Sequence, residues 1–152
     1  MLPCMGLKIA ITRVGDVSVD LPQRMTEGSV GMDLRAALEL ALELAPGERA
    51  AIPCGFAIAI PRGYEGQVRP RSGLALKQGL CVPNSPGTID PDYRGEVAVI
   101  VANFGNETVC IEPGQRVAQL VICPVAVADF DEVEELEPSD RGSGGFGHTG
   151  SA

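Results

Sequence analysis

Apolar residues in this chain come in short runs rich in β-branched side chains, often with the bulky ones at every second position. KIAITRV (8–14), AAIPCGFAIAI (50–60), GQVRP (66–70), EVAVIVANF (96–104), TVCIE (108–112) and RVAQLVICPV (116–125) are rich in Val, Ile and Thr. A period of two places one set of side chains on a common face, the signature of a half-buried strand. Pro-Gly, Gly-Asn and Pro-Arg pairs between the runs supply turns. The pattern predicts an all-β fold, a jelly-roll-like or distorted β-barrel with one short helix and a flexible C-terminal tail.

Two segments need separate treatment. AALELALELA (36–45) consists of strong helix formers, yet Leu38, Leu40, Leu42 and Leu44 recur at every second residue. A strand would put all four leucines on one face, so strand is preferred, at least for the second half. SGLALKQGL (72–80) is the helix, closed by Gly79. The acidic run DFDEVEELEPSD (129–140) reads as a solvated last strand and a linker. Pro138-Ser139-Asp140 then divides a body, 1–138, from a glycine-rich arm, 139–152.

Composition narrows the function classes. The 152 residues suffice for one domain, and with no Trp the core must be mainly Val, Ile, Leu and Ala. A net charge of −8 argues against non-specific nucleic-acid binding, which needs a basic face. It leaves room for an anionic ligand, because a few arginines and oriented amides can hold phosphate locally. Five cysteines without a CxxC pair suit free, mostly buried thiols and a reducing compartment. A single His argues against a zinc site. With neither a signal peptide nor a membrane span in the sequence, the expectation is a cytoplasmic protein.

Five stretches carry candidate chemistry, each with a plain alternative. In TIDPDYRGEV (88–97), Asp90 enters a Pro-Asp turn. Either the segment is a β-hairpin whose acids face water, or Asp90 is a general base beside an aromatic wall, Tyr93. A carboxylate ionised at neutral pH can polarise a water within hydrogen-bond reach. In RPRSGLA (69–75), Arg71, Ser72 and Gly73 open the helix, which suits an anion or simply gives a helix N-capped by Ser72. In EGSVGMDLRAA (27–37), Gly28 and Gly31 set a tight approach before Asp33, itself a turn acid or a site acid. In PGQRVAQLVI (113–122), Gln119 interrupts an apolar run, as a strand residue or a ligand contact. In the tail, RGSGGFGHTG (141–150), half the residues are glycine. A frayed end has no use for a bracketed Phe and Arg.

In order and spacing, over roughly residues 8–150, these five stretches resemble the motifs of the homotrimeric dUTP nucleotidohydrolases, the dUTPases. The resemblance implies a jelly-roll-like subunit, a homotrimer with three sites shared between subunits, and cleavage of dUTP to dUMP and pyrophosphate with Mg²⁺. Such an enzyme limits uracil in DNA and supplies dUMP for dTMP synthesis. It implies that Asp90 activates the water attacking the α-phosphorus and that Tyr93 packs under the deoxyribose, refusing a 2′-hydroxyl. Asn84 matches a uracil-pocket position, with main-chain groups of Gly87, Thr88 and Ile89 on the uracil edge. Arg71, Ser72, Gly73 and Gln119 match phosphate contacts. Asp33 lies near a metal held by triphosphate and waters, not by a protein cage, and beside a neighbouring Arg. The tail becomes a lid: Arg141 approaches the phosphates, Phe146 stacks on uracil, and Gly147, His148 and Thr149 reach the terminal phosphates.

Met32 stands where many members carry an aromatic or another apolar residue, and His148 where many carry Ser. Two rivals stand beside this reading, one a sister enzyme family and one from another class. A dCTP deaminase of the same fold would release ammonia, but such enzymes typically carry a second Ser where this chain has Gly73-Leu74. A nucleotide-binding module without turnover would be expected to lack Asp90, Arg71 or the tail, and all are present.

Overall fold

Proline and glycine cut the alternating runs into short pieces that pair antiparallel throughout. The computed structural model describes residues 6–145. Its strands are β1 (Ala10–Arg13), β2 (Met32–Arg35), β3 (Leu42–Leu44), β4 (Arg49–Pro53), β5 (Phe56–Ala59) and β6 (Tyr64–Pro70). Helix α1 (Ser72–Gln78) follows, then β7 (Leu80–Cys81), β8 (Gly87–Ile89), β9 (Ala98–Asn103), β10 (Val109–Ile111) and β11 (Arg116–Pro124). They form four sheets, ordered β1-β5, β10-β3, β2-β11-β6-β8 and β4-β9-β7. This is the expected jelly-roll-like arrangement with one short helix, although no continuous barrel wall closes among the described residues. No helix among them is long and apolar enough to cross a membrane.

One aliphatic core lies between the sheets. Leu34, Ile52, Val97, Val99, Val101 and Ile111 are fully buried around Phe56. Asn103 is the buried polar residue of this core, 0% exposed. Its amide donates to the carbonyls of Leu44 and Glu107, both at 2.8 Å, and its oxygen accepts from Gly105 N–H at 2.9 Å. One side chain thereby ties β3 to the turn between β9 and β10. The helix ends where expected: Gly79 takes the left-handed conformation, φ 67°, and its N–H closes onto Ala75 and Leu74.

Several expectations need correction. Leu44 is buried and Leu42 half-buried in β3, but Leu40 is 81% exposed because the chain bends at Glu39-Leu40. The backbone at Ala36 and Ala37 is instead tied to Gln115, Gly114 and Pro53, which ends the ladder early. The acidic run forms no strand: after Pro124, residues 125–140 are exposed and lack ladder structure. Ser72 is not the N-cap. Arg71 holds that position, and no side chain caps the helix. Of the four described cysteines, all free, only Cys54 is buried, while Cys110 is exposed.

Replacing Asn103 with Leu leaves the buried Leu44 carbonyl without its partner and releases the turn groups of Gly105 and Glu107, so stability should fall by roughly 1–3 kcal/mol, read from the denaturant midpoint. Burial, and secondarily Glu96, pushes the Cys54 thiol from an ordinary 9.0 up to about 12. The folded state therefore favours the neutral thiol. Stability from this site is complete below pH 9 and is lost as pH rises towards 12, by up to about 4 kcal/mol. A Cys54→Ala variant should lose that alkaline decline when unfolding midpoints at pH 8 and pH 10.5 are compared.

Candidate active site

Strand β11 runs between β2 and β6, and its register assembles the first group of candidate residues. Gln119 stands opposite Asp33 on β2 and opposite Arg69 on β6. Directly opposed residues share a face, so Asp33, Gln119 and Arg69 project together on the side away from the core. On the other face, Leu34, Val68 and Leu120 are buried. The close approach comes at Gly31, where a Cβ would overlap the Gln119 side-chain amide. Gly28 stands in open space and makes no such contact. Gln119 donates to the Pro70 carbonyl at 2.9 Å, which points its amide along the end of β6 towards α1.

Asp33 is the electrostatic centre of this group. Its side chain is 13% exposed, and both oxygens are engaged: Oδ1 by Arg71 Nε at 3.1 Å and Oδ2 by Arg116 Nη1 at 2.9 Å. Arg71 also donates from Nη1 to the Arg116 carbonyl at 3.3 Å. A half-buried carboxylate needs such partners, and here it fixes the guanidinium planes in return. Asp33, Arg71, Ser72, Gly73 and Gln119 line one cleft of about 700 Å³, joined by Lys77 and Arg116. Three cationic side chains against one carboxylate make the cleft locally positive in an acidic protein. The Ser72 hydroxyl makes no capping bond, and of the first-turn amides Leu74 N–H already donates to the Arg71 carbonyl at 3.1 Å, which leaves those of Ser72 and Gly73 as donors for an anion.

Arg116 and Lys77 escaped the reading of the sequence. Strict alternation would put Arg116, three residues from Gln119, on the opposite face. The pairing of β11 with β2 shifts register between Arg116 and Ala118. This bulge turns both Val117 and Ala118 into the core and Arg116 outward, beside Asp33. Nothing in GQRVAQ announces an extra residue. Lys77 was legible, since it lies four residues after Gly73, one turn along the same helix face.

The second group sits at the far edge of the same sheet. Strand β8 pairs with β6, whereas β9 pairs with β4 and β7, so 88–97 is not a hairpin but a crossing between sheets. Gly87 and Ile89 are buried and offer only main chain, while Thr88 faces out. As the terminal strand, β8 has one edge unpaired by any described strand. Gly87 also leaves room for the Asn84 amide, which would lie 2.9 Å from a Cβ there. Asp90 is exposed at the end of β8, in a turn closed by Tyr93 N–H onto its carbonyl at 3.2 Å. Tyr93, 44% exposed, donates to the Glu96 carbonyl at 2.9 Å.

Within one chain the two groups do not meet. Asp90 follows Ile89, which pairs with Gly66, and so comes level with Glu65. Arg71 lies six residues further along, or ~20 Å of extended chain. Between them the outer face of β6 is filled by a hydrogen-bonded row, Gln67 to Glu65 at 2.6 Å and Arg69 to Gln67 at 3.0 Å. Arg141 belongs to neither group: it is exposed, and its Nε donates to the Gly144 carbonyl at 2.8 Å in a local turn. Phe146, Gly147, His148 and Thr149 lie outside the described residues.

Comparison with known proteins follows this geometry. The family model for dUTPase matches residues 18–150. The deoxyuridine 5′-triphosphate nucleotidohydrolase of Chlamydia felis is 58% identical over 135 residues, covering 87% of this chain and 92% of that protein. The same enzyme of Desulfotalea psychrophila is 56% identical over 133 residues, 88% and 89% of the two chains. Among solved structures, the Staphylococcus bacteriophage 80alpha dUTPase with dUPNHPP superposes with TM-score 0.84 at 29% identity, over 95% of this chain and 99% of that one. A mutant dUTPase from phage phi11 of S. aureus, in which a structural Mg(II) ion is coordinated, gives 0.78 at 25% identity, over 87% and 100%. Both groups of site residues fall inside the matched span, and this chain belongs to the dUTPase family.

Proposed function

We propose that the protein hydrolyses dUTP to dUMP and pyrophosphate, with the Asp33–Arg71–Arg116 cleft holding the triphosphate and Asp90 acting as general base. The observation that carries this is the cleft: three cations, the Ser72 hydroxyl and the Ser72 and Gly73 amides line it around a single carboxylate in a protein of net charge −8. The high identity to nucleotidohydrolases supports the same reading. The dCTP deaminase alternative gains nothing from these relatives.

Asp90 removes a proton from water, whose oxygen attacks the α-phosphorus; the bond to the bridging oxygen breaks and pyrophosphate leaves. Arg71, with Ser72 and the α1 amides, holds charge that grows on the departing oxygens. The free edge of β8 and the Asn84 amide suit the uracil edge. A cytosine there would set donor against donor, which is costly in a dry pocket. Tyr93 forms the wall beneath the sugar.

Because Asp90 and Arg71 lie ~20 Å apart along β6, a complete site needs a second copy of the chain. We therefore read the enzyme as a homotrimer with sites shared between subunits. Residues 139–152 act as the lid, with Arg141 and Phe146 delivered to the nucleotide. Among the described residues no three His, Cys, Asp or Glu side chains could hold a metal. This donor set fits a Mg²⁺ that arrives on the triphosphate, with Asp33 oxygens still able to accept from a metal-bound water. The ion supplies neutralisation of the phosphate charge. Free thiols among the described residues suit a reducing compartment, the cytoplasm.

An assay following pyrophosphate and ammonia together, with Mg²⁺ and dUTP, dCTP, dTTP or UTP, should give pyrophosphate from dUTP alone. Asp90→Asn should bind dUTP yet turn over at least ~10²-fold more slowly. Mixing inactive Asp90→Asn and Arg71→Ala subunits, unfolded and refolded together, should restore activity through sites that combine two intact halves. A mixture as inactive as its parents would place the whole site in one chain. Truncation after Asp140 should depress kcat/KM strongly while leaving the thermal unfolding of the body unchanged.

A further inference from the structure

Tyr93 can refuse a ribose only if its ring cannot yield, and the residues after it decide that. Its hydroxyl donates to the Glu96 main-chain carbonyl at 2.9 Å. Glu96 is itself anchored, since its carboxylate accepts from Gly55 N–H at 2.8 Å, at the turn between β4 and β5. The phenol therefore folds back over Gly95. A Cβ at Gly95 would lie 2.7 Å from Tyr93 Cζ and 3.0 Å from Cε2, and would overlap the hydroxyl as well.

Backbone conformation does not require glycine at this position. Gly95 is absent from the residues with positive φ, unlike Gly55 or Gly79. The atoms that a Cβ at Gly95 would meet most closely belong to Tyr93. A side chain here would press first on the tyrosine.

We propose that Gly95 and Glu96 are positioning residues for substrate selectivity: together they form a platform that locks the Tyr93 ring before substrate arrives, and this lock sets the discrimination between deoxyribo- and ribonucleotide. The inference rests on the proposed dUTP hydrolysis and on Tyr93 as the sugar wall. The platform works by preorganisation. A ring free to rotate gives way to a 2′-hydroxyl at small cost, whereas a ring held by its hydroxyl and seated on a bare Cα can yield only by breaking that bond.

The test compares kcat/KM for dUTP and UTP in the wild type, Gly95→Ala and Tyr93→Phe. A general loss of structure lowers both substrates alike, so the ratio isolates the platform. The ratio should fall about tenfold or more in Gly95→Ala, chiefly through improved use of UTP. Tyr93→Phe, which keeps the ring and loses only the bond to Glu96, should fall in the same direction by less. Unfolding midpoints of both variants should stay near the wild type, because Tyr93 is half exposed and the core is untouched. An unchanged ratio in both variants overturns the platform, as does a Gly95→Ala protein that loses dUTP and UTP turnover in equal proportion. A wild type that leaves dUTP intact would instead overturn the proposed activity, a separate failure.

Discussion

The pairing of β11 with two neighbours at once is the constraint on which the site depends. Its register with β2 and β6 is set by what it buries: Ala118 and Leu120 face a core shared with Leu34 and Val68. Because side chains alternate, that burial also decides what faces outward. A slip of one residue along β11 would carry Gln119 into the core and leave Asp33 without its neighbours. Hydrophobic packing on one face thereby positions the polar chemistry of the other.

The two halves of the site are held by different means. Around Asp33 the geometry is rigid: a carboxylate with little exposure is bound on both oxygens by guanidinium groups, and that of Arg71 is held further by the Arg116 carbonyl. Charge for charge, this arrangement leaves surplus positive potential pointing into the cleft. Asp90 sits in the opposite situation, exposed in a turn that crosses between two sheets. These settings suit the roles proposed for the two groups, since a base meeting water needs exposure and a phosphate clamp needs confinement. The fold supplies each at a different edge of one sheet.

Much of this was legible from residue order. Alternation located the strands, and Gly79 marked the end of α1, because both signals are local. Asp33, Arg71, Ser72, Gly73 and Gln119 could be named in advance and do line one cleft. What failed was non-local. The leucine repeat from 38 to 44 is a strand only in its second half, where strand is the preferred reading, and what alternation could not show is that hydrogen bonds to Gln115 and Pro53 redirect its first half. The segment 88–97 looked like a hairpin because its turn chemistry is that of one; only the pairing partners of β8 and β9 reveal two sheets. The acidic stretch read as a last strand stayed unpaired; its apolar residues Phe130, Val133 and Leu136 fall three apart and give no common strand face to bury.

The bulge at Val117 has a consequence for how this site is encoded. Arg116 reaches Asp33 because two residues of β11 stand against one of β2, which re-phases everything upstream of the bulge. The information that brings the guanidinium to the carboxylate is therefore a count of residues as much as an identity. Deleting the one supernumerary residue would leave Arg116, Asp33 and Gln119 all present in the chain and direct the arginine towards the aliphatic core. Two sequences with the same site residues can in this way differ in whether they possess the site.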